Sequence, residues 1–336
     1  MHPFFPPGKL PAEHLARLLR RYGRADARLV IGPCPGEDVA VIDMGDRYLV
    51  AKSDPITFAT DEIGRYVVNV NANDIACSGA KPHWFLATLL LPEGKTDLPL
   101  VESIFAQIAQ ACTELDITLV GGHTEITYGL ERPIVVGHML GEVAPDRFVA
   151  TSGVRAGDDL ILTKRIAIEA TAIIAREKEE ALKDVLDAAT LRRCREFLHD
   201  PGISVVREAQ LAQAAGQVHA MHDPTEGGLA TGLWEMAQAA GVGLEIEAAA
   251  IPIWPETRLL CAHFGLDALG VIASGSLLIA CPPGDTPAIL GALNSAGIPA
   301  TVIGRATEPE AGCRLLTADG AQPLPSFARD EIARLF

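Results

Sequence analysis

Apolar and polar positions follow two periods along this chain. Residues 39–42 and 48–51 read as short buried strands, with Met44, Gly45, Asp46 and Arg47 turning between them. Further strands are predicted near 85–91, 116–120 and 133–141, and helices over 11–22, 61–79 and 97–114. In the helix over 61–79, Ile63, Val67, Val70 and Cys77 share one face at about 100° per residue, with Thr60 as its N-cap and Gly79 near its end. The second half alternates strands (159–163, 217–221, 242–247, 276–281, 300–305) with helices (165–178, 181–198, 203–215, 228–240, 284–296). That alternation argues for α/β layering. Residues 144–157 are rich in turn formers and break the pattern, so two domains are expected, 1–148 and 149–336. Residues 2–8, rich in proline and aromatic side chains, read as an extended arm.

Three carboxylates interrupt the apolar pattern. Asp38 opens one predicted strand and Asp54 follows the next, so an antiparallel hairpin would bring them together. Asp74 falls on the apolar stripe of the helix that follows, with Asn71 beside it. Burying a charge costs several kcal/mol or more unless it is compensated, so Asp74 needs a counter-charge. No Lys or Arg stands three or four residues away from it on the helix. Two readings stand: a hard cation held by oxygen ligands, most simply Mg²⁺ carrying a nucleotide, or separate turn and cap residues. Asp43 and Asp46 read as turn residues only.

Two glycine pairs mark further candidate sites. Gly121 and Gly122 follow a predicted strand, where paired glycines permit close backbone approach to a ligand or simply make a strand-end turn. His123 and Glu125 alternate beyond them, so both can face one site. His123 is a candidate acid/base or a structural hydrogen-bonding residue. Asp223, Pro224, Thr225 and Glu226 lead into Gly227 and Gly228 at a predicted helix start. There, open N–H groups suit a phosphate, and the other reading is an ordinary helix start capped by Thr225.

Composition narrows the function classes. A length of 336 residues allows two domains with a sizeable core, and 49% hydrophobic content argues against disorder. A net charge of −15 argues against broad nucleic-acid binding. A polyphosphate site in such a chain must rely on metal and backbone donors. Seven cysteines without a C-x-x-C pair fit a reducing cytoplasm, and no apolar run is long enough to span a membrane. Cys34, between Pro33 and Pro35, has no neighbouring base to activate it. Gly94-Lys95-Thr96 lacks the first glycine of a P-loop, since Leu89 stands there.

Taken together, the motifs resemble those of the AIR synthase (PurM-like) superfamily. The matching segments are Gly36 to Ile42, Ser53-Asp54, Asn73-Asp74-Ile75-Ala76, Gly121-Gly122-His123-Thr124, and His222 to Ala230. The last run looks most like the HypE branch of hydrogenase maturation proteins. The resemblance implies an α+β N-terminal domain contributing to a dimeric β-barrel, a C-terminal α/β domain, and ATP between them. It implies Mg²⁺ and ATP phosphates held at Asp38, Asp54 and Asp74, with Glu125 supplying the carboxylate that the family's Gly-Gly-Asp would carry. Asn71, Gly121, Gly122, Gly227 and Gly228 would contact the nucleotide, and Asp223 and His123 would serve the reaction. The implied reaction is phosphoryl transfer from ATP to an oxygen of a small-molecule or protein-borne acceptor, in a cytoplasmic homodimer with a possible maturation-protein partner. A kinase acting on a small molecule such as thiamine monophosphate and a non-catalytic nucleotide-binding partner are the other two expectations. Two departures bear on this. Glu226 replaces an arginine of the HypE-like motif, and the chain ends in Phe336 rather than the cysteine that carries the carbamoyl group in HypE.

Overall fold

The structure is a computed structural model that describes residues 4–5, 10–33, 37–57 and 61–336. Most of the arm at 2–8, together with Cys34, Gly36 and Thr60, lies outside the described residues.

The first sheet has six strands. These are β1 (Leu29–Ile31), β2 (Ala40–Asp43), β3 (Tyr48–Ile56), β4 (Lys81–Pro92), β5 (Thr118–Thr127) and β6 (Ile134–Val143), in the order β1-β2-β3-β6-β4-β5. Only the β4–β5 pair is parallel. The expected hairpin is present, with Ala40 opposite Ala51 in β2 and β3. Strand β6 alternates strictly between buried and half-buried residues, as a strand with one covered face does.

Helix α1 (Ala12–Tyr22) precedes this sheet, α2 (Ile63–Cys77) lies on its covered face, and α3 (Leu98–Glu114) packs beside α2. Fourteen of the fifteen residues of α2 are buried, so it is a central helix rather than an amphipathic surface one. Its close seating requires small residues below it: a Cβ at Gly137 of β6 would collide with the Asn71 side chain.

The second sheet has seven strands, β7 (Asp159–Thr163), β8 (Ala220–His222), β9 (Gly243–Glu247), β10 (Leu278–Cys281), β11 (Ala300–Thr307), β12 (Cys313–Thr317) and β13 (Gly320–Pro323). Their order is β13-β12-β9-β11-β7-β10-β8, antiparallel except for β12 with β9. The helices among them are α4 (Ile168–Glu177), α5 (Glu179–Leu182), α6 (Ala188–Glu196), α7 (Val206–Ala215), α8 (Gly228–Ala240), α9 (Pro255–Phe264) and α10 (Thr286–Ser295). The helix expected over 181–198 is therefore two shorter ones, and α9, β1, β12 and β13 are additions to the sequence reading.

One apolar core joins the two sheets, running from Val41, Val67 and Ile75 to Val205, Met221 and Ile279. Asn73 stitches the same junction. Its Nδ2 donates to Ile203 O at 2.9 Å, and its Oδ1 accepts from Val205 N–H at 2.9 Å. Both ends of a buried amide are thus satisfied across the junction, which fixes α2 against the start of α7.

Candidate functional site

The three aspartates meet at one cation, and it belongs to the chain. Lys52 Nζ lies 3.0 Å from Asp74 Oδ2, 3.2 Å from Asp54 Oδ2 and 3.9 Å from Asp38 Oδ1. Lys52 and Asp54 are two apart on β3 and so share a face. The β2–β3 hairpin brings Asp38 alongside, and α2 sets Asp74 above them. The counter-charge that Asp74 requires therefore comes from a neighbouring strand. Helical spacing does not reach it, although Lys52 stands two residues from Asp54.

Burial grades the cluster. The side chains of Lys52 and Asp74 are 11% and 7% exposed, and those of Asp38 and Asp54 are 43% and 39% exposed. Burial alone would lower the Lys52 ammonium, but Asp74, Asp54 and Asp38 hold it well above an ordinary lysine. Asp74 is raised as well: burial is the main cause, Lys52 pulls it down, and Asp223, Asp38 and Asp54 add to the rise. One ammonium shared among several carboxylates keeps its proton while the deepest carboxyl resists ionisation.

The second sheet supplies the opposite wall. His222, the last residue of β8, places Nδ1 3.6 Å from Asp38 Oδ2 and Nε2 3.0 Å from Glu235 Oε2 of α8. Burial lowers its imidazole, but Glu235, Asp38 and Asp223 outweigh that and raise it. Asp223 is buried and accepts from Cys77 Sγ at 3.4 Å, while its Oδ2 has no hydrogen-bond partner among the described residues. Burial pushes Asp223 up to about 6, against the pull of His222. A carboxyl in that range can hold or release a proton near neutrality.

Several expected site residues sit elsewhere or are occupied. Asn71, expected at the nucleotide, has its amide engaged with the chain: its Oδ1 accepts from Asp54 N–H at 2.9 Å, and its Nδ2 donates to Asp54 O and Val67 O. Gly121 and Gly122 do not end a strand but lie within β5. A Cβ at Gly122 would collide with Ala87 O, so this glycine permits the close approach of β4. Asp54 pairs with Gly137, Gly137 with Ala87, and Ala87 with Gly122. Three strand spacings, about 14 Å, therefore separate this glycine from the aspartates within one chain. His123 and Glu125 do face each other, with Nε2 3.1 Å from Oε2, but on exposed edge strand β5. Glu125 thus lies apart from the aspartate cluster within one chain.

The helix start at 227–228 is also committed. Gly227 N–H donates to Asp330 Oδ2 at 2.7 Å, and Gly228 N–H donates to Thr225 O at 3.0 Å. A Cβ at Gly228 would crowd Leu269 O and Val271 O. The carboxylate of the chain itself takes the N–H that the sequence offered to phosphate. Two hollows of about 370 and 430 Å³ lie away from the acidic cluster, one against Asp61 and Arg176, the other beneath Phe105 and Gly121 to Thr124. Charge and burial, not hollow size, single out the cluster.

A second buried acid lies close by. Burial pushes Glu169, in the first turn of α4, up to about 8, with Ser274 pulling it down and Glu226, Asp330 and Asp223 adding to the rise. A folded-state value above the ordinary 4.5 contributes stability that is complete below about 4.5 and is lost as pH rises through about 8. Glu169→Gln is therefore expected to be more stable than the wild type at pH 8 by on the order of a few kcal/mol, with the gap closing towards pH 5. Urea denaturation at the two pH values measures this, and a pH-independent difference would contradict it.

Comparison with known proteins bears on the whole chain. Residues 36–143 match the model of the AIR synthase related protein N-terminal domain, and residues 155–313 match that of the C-terminal domain. The chain is 31% identical over 296 residues to the carbamoyl dehydratase HypE of Rhodobacter capsulatus, covering 86% of this chain and 83% of that protein. A crystal structure of the hydrogenase maturation protein HypE in complex with ATP superposes with a TM-score of 0.73 at 23% identity, covering 95% of this chain and 91% of that one. Thiamine monophosphate kinase from Aquifex aeolicus superposes with a TM-score of 0.64 at 21% identity, covering 81% and 89%. At these identities the two structural likenesses establish the PurM-like fold alone.

Proposed function

This chain belongs to the AIR synthase related family, and from that premise we propose that it is an ATP- and Mg²⁺-dependent enzyme transferring the γ-phosphoryl group to an oxygen of an amide-like or protein-borne acceptor. The observation that carries the reading is the convergence of Asp38, Asp54 and Asp74 on Lys52, opposite His222 and Asp223. The ATP complex of a HypE structure with this fold supports the choice of nucleotide.

The donor set suits a hard cation. Asp38 and Asp54 are half-exposed carboxylates, and among the described residues four acids (Asp38, Asp54, Asp74, Asp223) stand around the ammonium of Lys52. A polyphosphate entering that field without a cation would be repelled. Among the described residues, no three acidic, His or Cys side chains already form a cage, and Lys52 stands among the aspartates. Asp38 and Asp54, with Asp74 behind them, would hold Mg²⁺, which when bound neutralises phosphate charge and aligns the transfer. Lys52 screens the carboxylates from phosphate oxygens. Asn71 fixes the backbone of Asp54, and Asp223 holds or takes up the acceptor proton. We also infer a homodimer through the exposed β5 edge, where Leu119, Val120 and Ile126 lie open, and a cytoplasmic site of action. Among the described residues, no helix is long and apolar enough to cross a membrane.

The likeness to thiamine monophosphate kinase supports a second reading, in which the acceptor is a phosphate ester. Phosphate and ADP release, measured with amide, carbamoyl and thiamine-monophosphate acceptors, separates the readings. Stimulation by an amide or carbamoyl compound is expected. Stimulation by thiamine monophosphate alone would favour the kinase, and nucleotide binding without turnover would favour a non-catalytic partner.

A further inference from the structure

Each aspartate of the cluster is set in place by a different means. Asp74 belongs to buried α2, and Asn71 clamps the backbone of Asp54 at both its N–H and its C=O. Asp38 has neither support. It stands before β2, whose ladder with β3 opens at Ala40, and its side chain is 43% exposed. Lys52 Nζ stands 3.9 Å from Asp38 Oδ1, and His222 Nδ1 stands 3.6 Å from Asp38 Oδ2. From the geometry around that imidazole we infer that Glu235 is a positioning residue of this site: it holds His222 in the one ring orientation that directs Nδ1 at Asp38, and so fixes the carboxylate where Mg²⁺ would be held. This role rests on the phosphoryl-transfer reading.

Three observations carry it. First, His222 Nε2 lies 3.0 Å from Glu235 Oε2, and the carboxylate oxygen accepts its hydrogen. Nδ1 lies across the ring, so the bond to Glu235 and the contact with Asp38 are made together. A half-turn of the ring would put carbon atoms in both places. Second, the ring is packed into a prepared space. His222 ends β8 opposite Leu278 of β10, and its side chain is 8% exposed. A Cβ at Gly232 of α8 would come within 3.1 Å of His222 Cδ2 and of Pro224 Cβ and Cγ. Gly232 thus leaves room for the ring against α8, and Glu235, three residues on, shares that face of the helix. Third, the Glu235 side chain is 42% exposed, so the hydrogen bond and not burial ties it to the site.

The chain of contacts crosses the molecule. Glu235 and His222 belong to the second sheet and its helix, whereas Asp38 belongs to the first sheet. Glu235 therefore transmits the fixed geometry of α8 to the least supported carboxylate of the cluster. Partners of this outer kind are worth about 10–100-fold in metal affinity or activity.

The test is calorimetric titration of the full chain with ATP at graded Mg²⁺ concentrations, beside a thermal melt of each variant. Glu235→Ala is expected to raise the Mg²⁺ concentration that half-saturates ATP binding by about tenfold or more, as loss of an outer partner does. Its melt should stay close to that of wild type, because solvent screens this carboxylate. Saturating Mg²⁺ should restore most of the ATP affinity, since the three aspartates remain. Glu235→Gln keeps an oxygen that accepts from Nε2–H and should recover most of the loss. Glu235→Ala placed in a His222→Gln background should add nothing further, because Glu235 acts through that ring. Nitrogen NMR spectra of ring-labelled histidine, with the His222 signal assigned by His222→Gln, give a readout without ligand. That signal should be displaced in Glu235→Ala and near its wild-type position in Glu235→Gln. An unchanged Mg²⁺ requirement in Glu235→Ala, losses that add in the double variant, or a fall in stability that alone accounts for the weaker binding would overturn this role and leave the reaction standing. Wild type that binds no ATP with Mg²⁺ would instead remove the phosphoryl-transfer reading, and this role with it.

Discussion

Lys52→Met is expected to destabilise the fold by about 3–5 kcal/mol at pH 8, the usual cost of removing one partner from a buried ion pair. The effect comes mainly from Asp74. Its side chain is 7% exposed, and it would keep Asp223, Asp38 and Asp54 as neighbours without the ammonium 3.0 Å away. The contacts to Asp38 and Asp54 contribute little to this figure, because solvent screens both carboxylates. Asp74 has a raised pKa already, so it can escape the penalty by taking up a proton. The loss should therefore shrink at pH 5. Denaturant melts of wild type and variant at both pH values measure this. An equally stable variant at pH 8 would mean that the network carries no net stability.

Asp74→Asn is expected to do the reverse, leaving the fold and removing the nucleotide site. Asparagine keeps the shape of the carboxyl, and Lys52 keeps Asp54 and Asp38 as partners that solvent reaches, so its ammonium is not stranded and the loss of stability should be smaller than that of Lys52→Met. Mg²⁺-dependent ATP binding should fall by on the order of 100-fold, since a deleted metal ligand costs at least what supporting residues do. Nucleotide titration alongside a thermal melt separates the outcomes. Unchanged ATP affinity in a folded variant would remove Asp74 from the site.

The legible parts of the sequence were those with a strong local signal. The β2–β3 hairpin, α2, α3 and α8 follow from turn residues and periodicity, and β6 falls at the strand expected near 133–141. Strand β13 has no such signal, since Gly320, Ala321, Gln322 and Pro323 offer no apolar face and it is held only by pairing with β12. The aspartates stood out because charge in an apolar run is costly. Their partner did not, because Lys52 reaches Asp74 through tertiary packing of α2 over β3. His222 was legible only as a neighbour of Asp223, since its contacts to Asp38 and Glu235 join residues far apart in sequence. The glycine pairs signal close approach, and within one chain the approaching groups are Ala87 O at Gly122 and the carbonyls of Leu269 and Val271 at Gly228. Sequence records that space is required, not what fills it.

The most direct test of the account is a calorimetric titration of the wild-type chain with ATP, with and without Mg²⁺. The account predicts binding that depends on Mg²⁺, because the carboxylates around Lys52 carry more negative charge than that ammonium offsets. Binding that is equally tight in the presence of a chelator, or no binding under either condition, would contradict it.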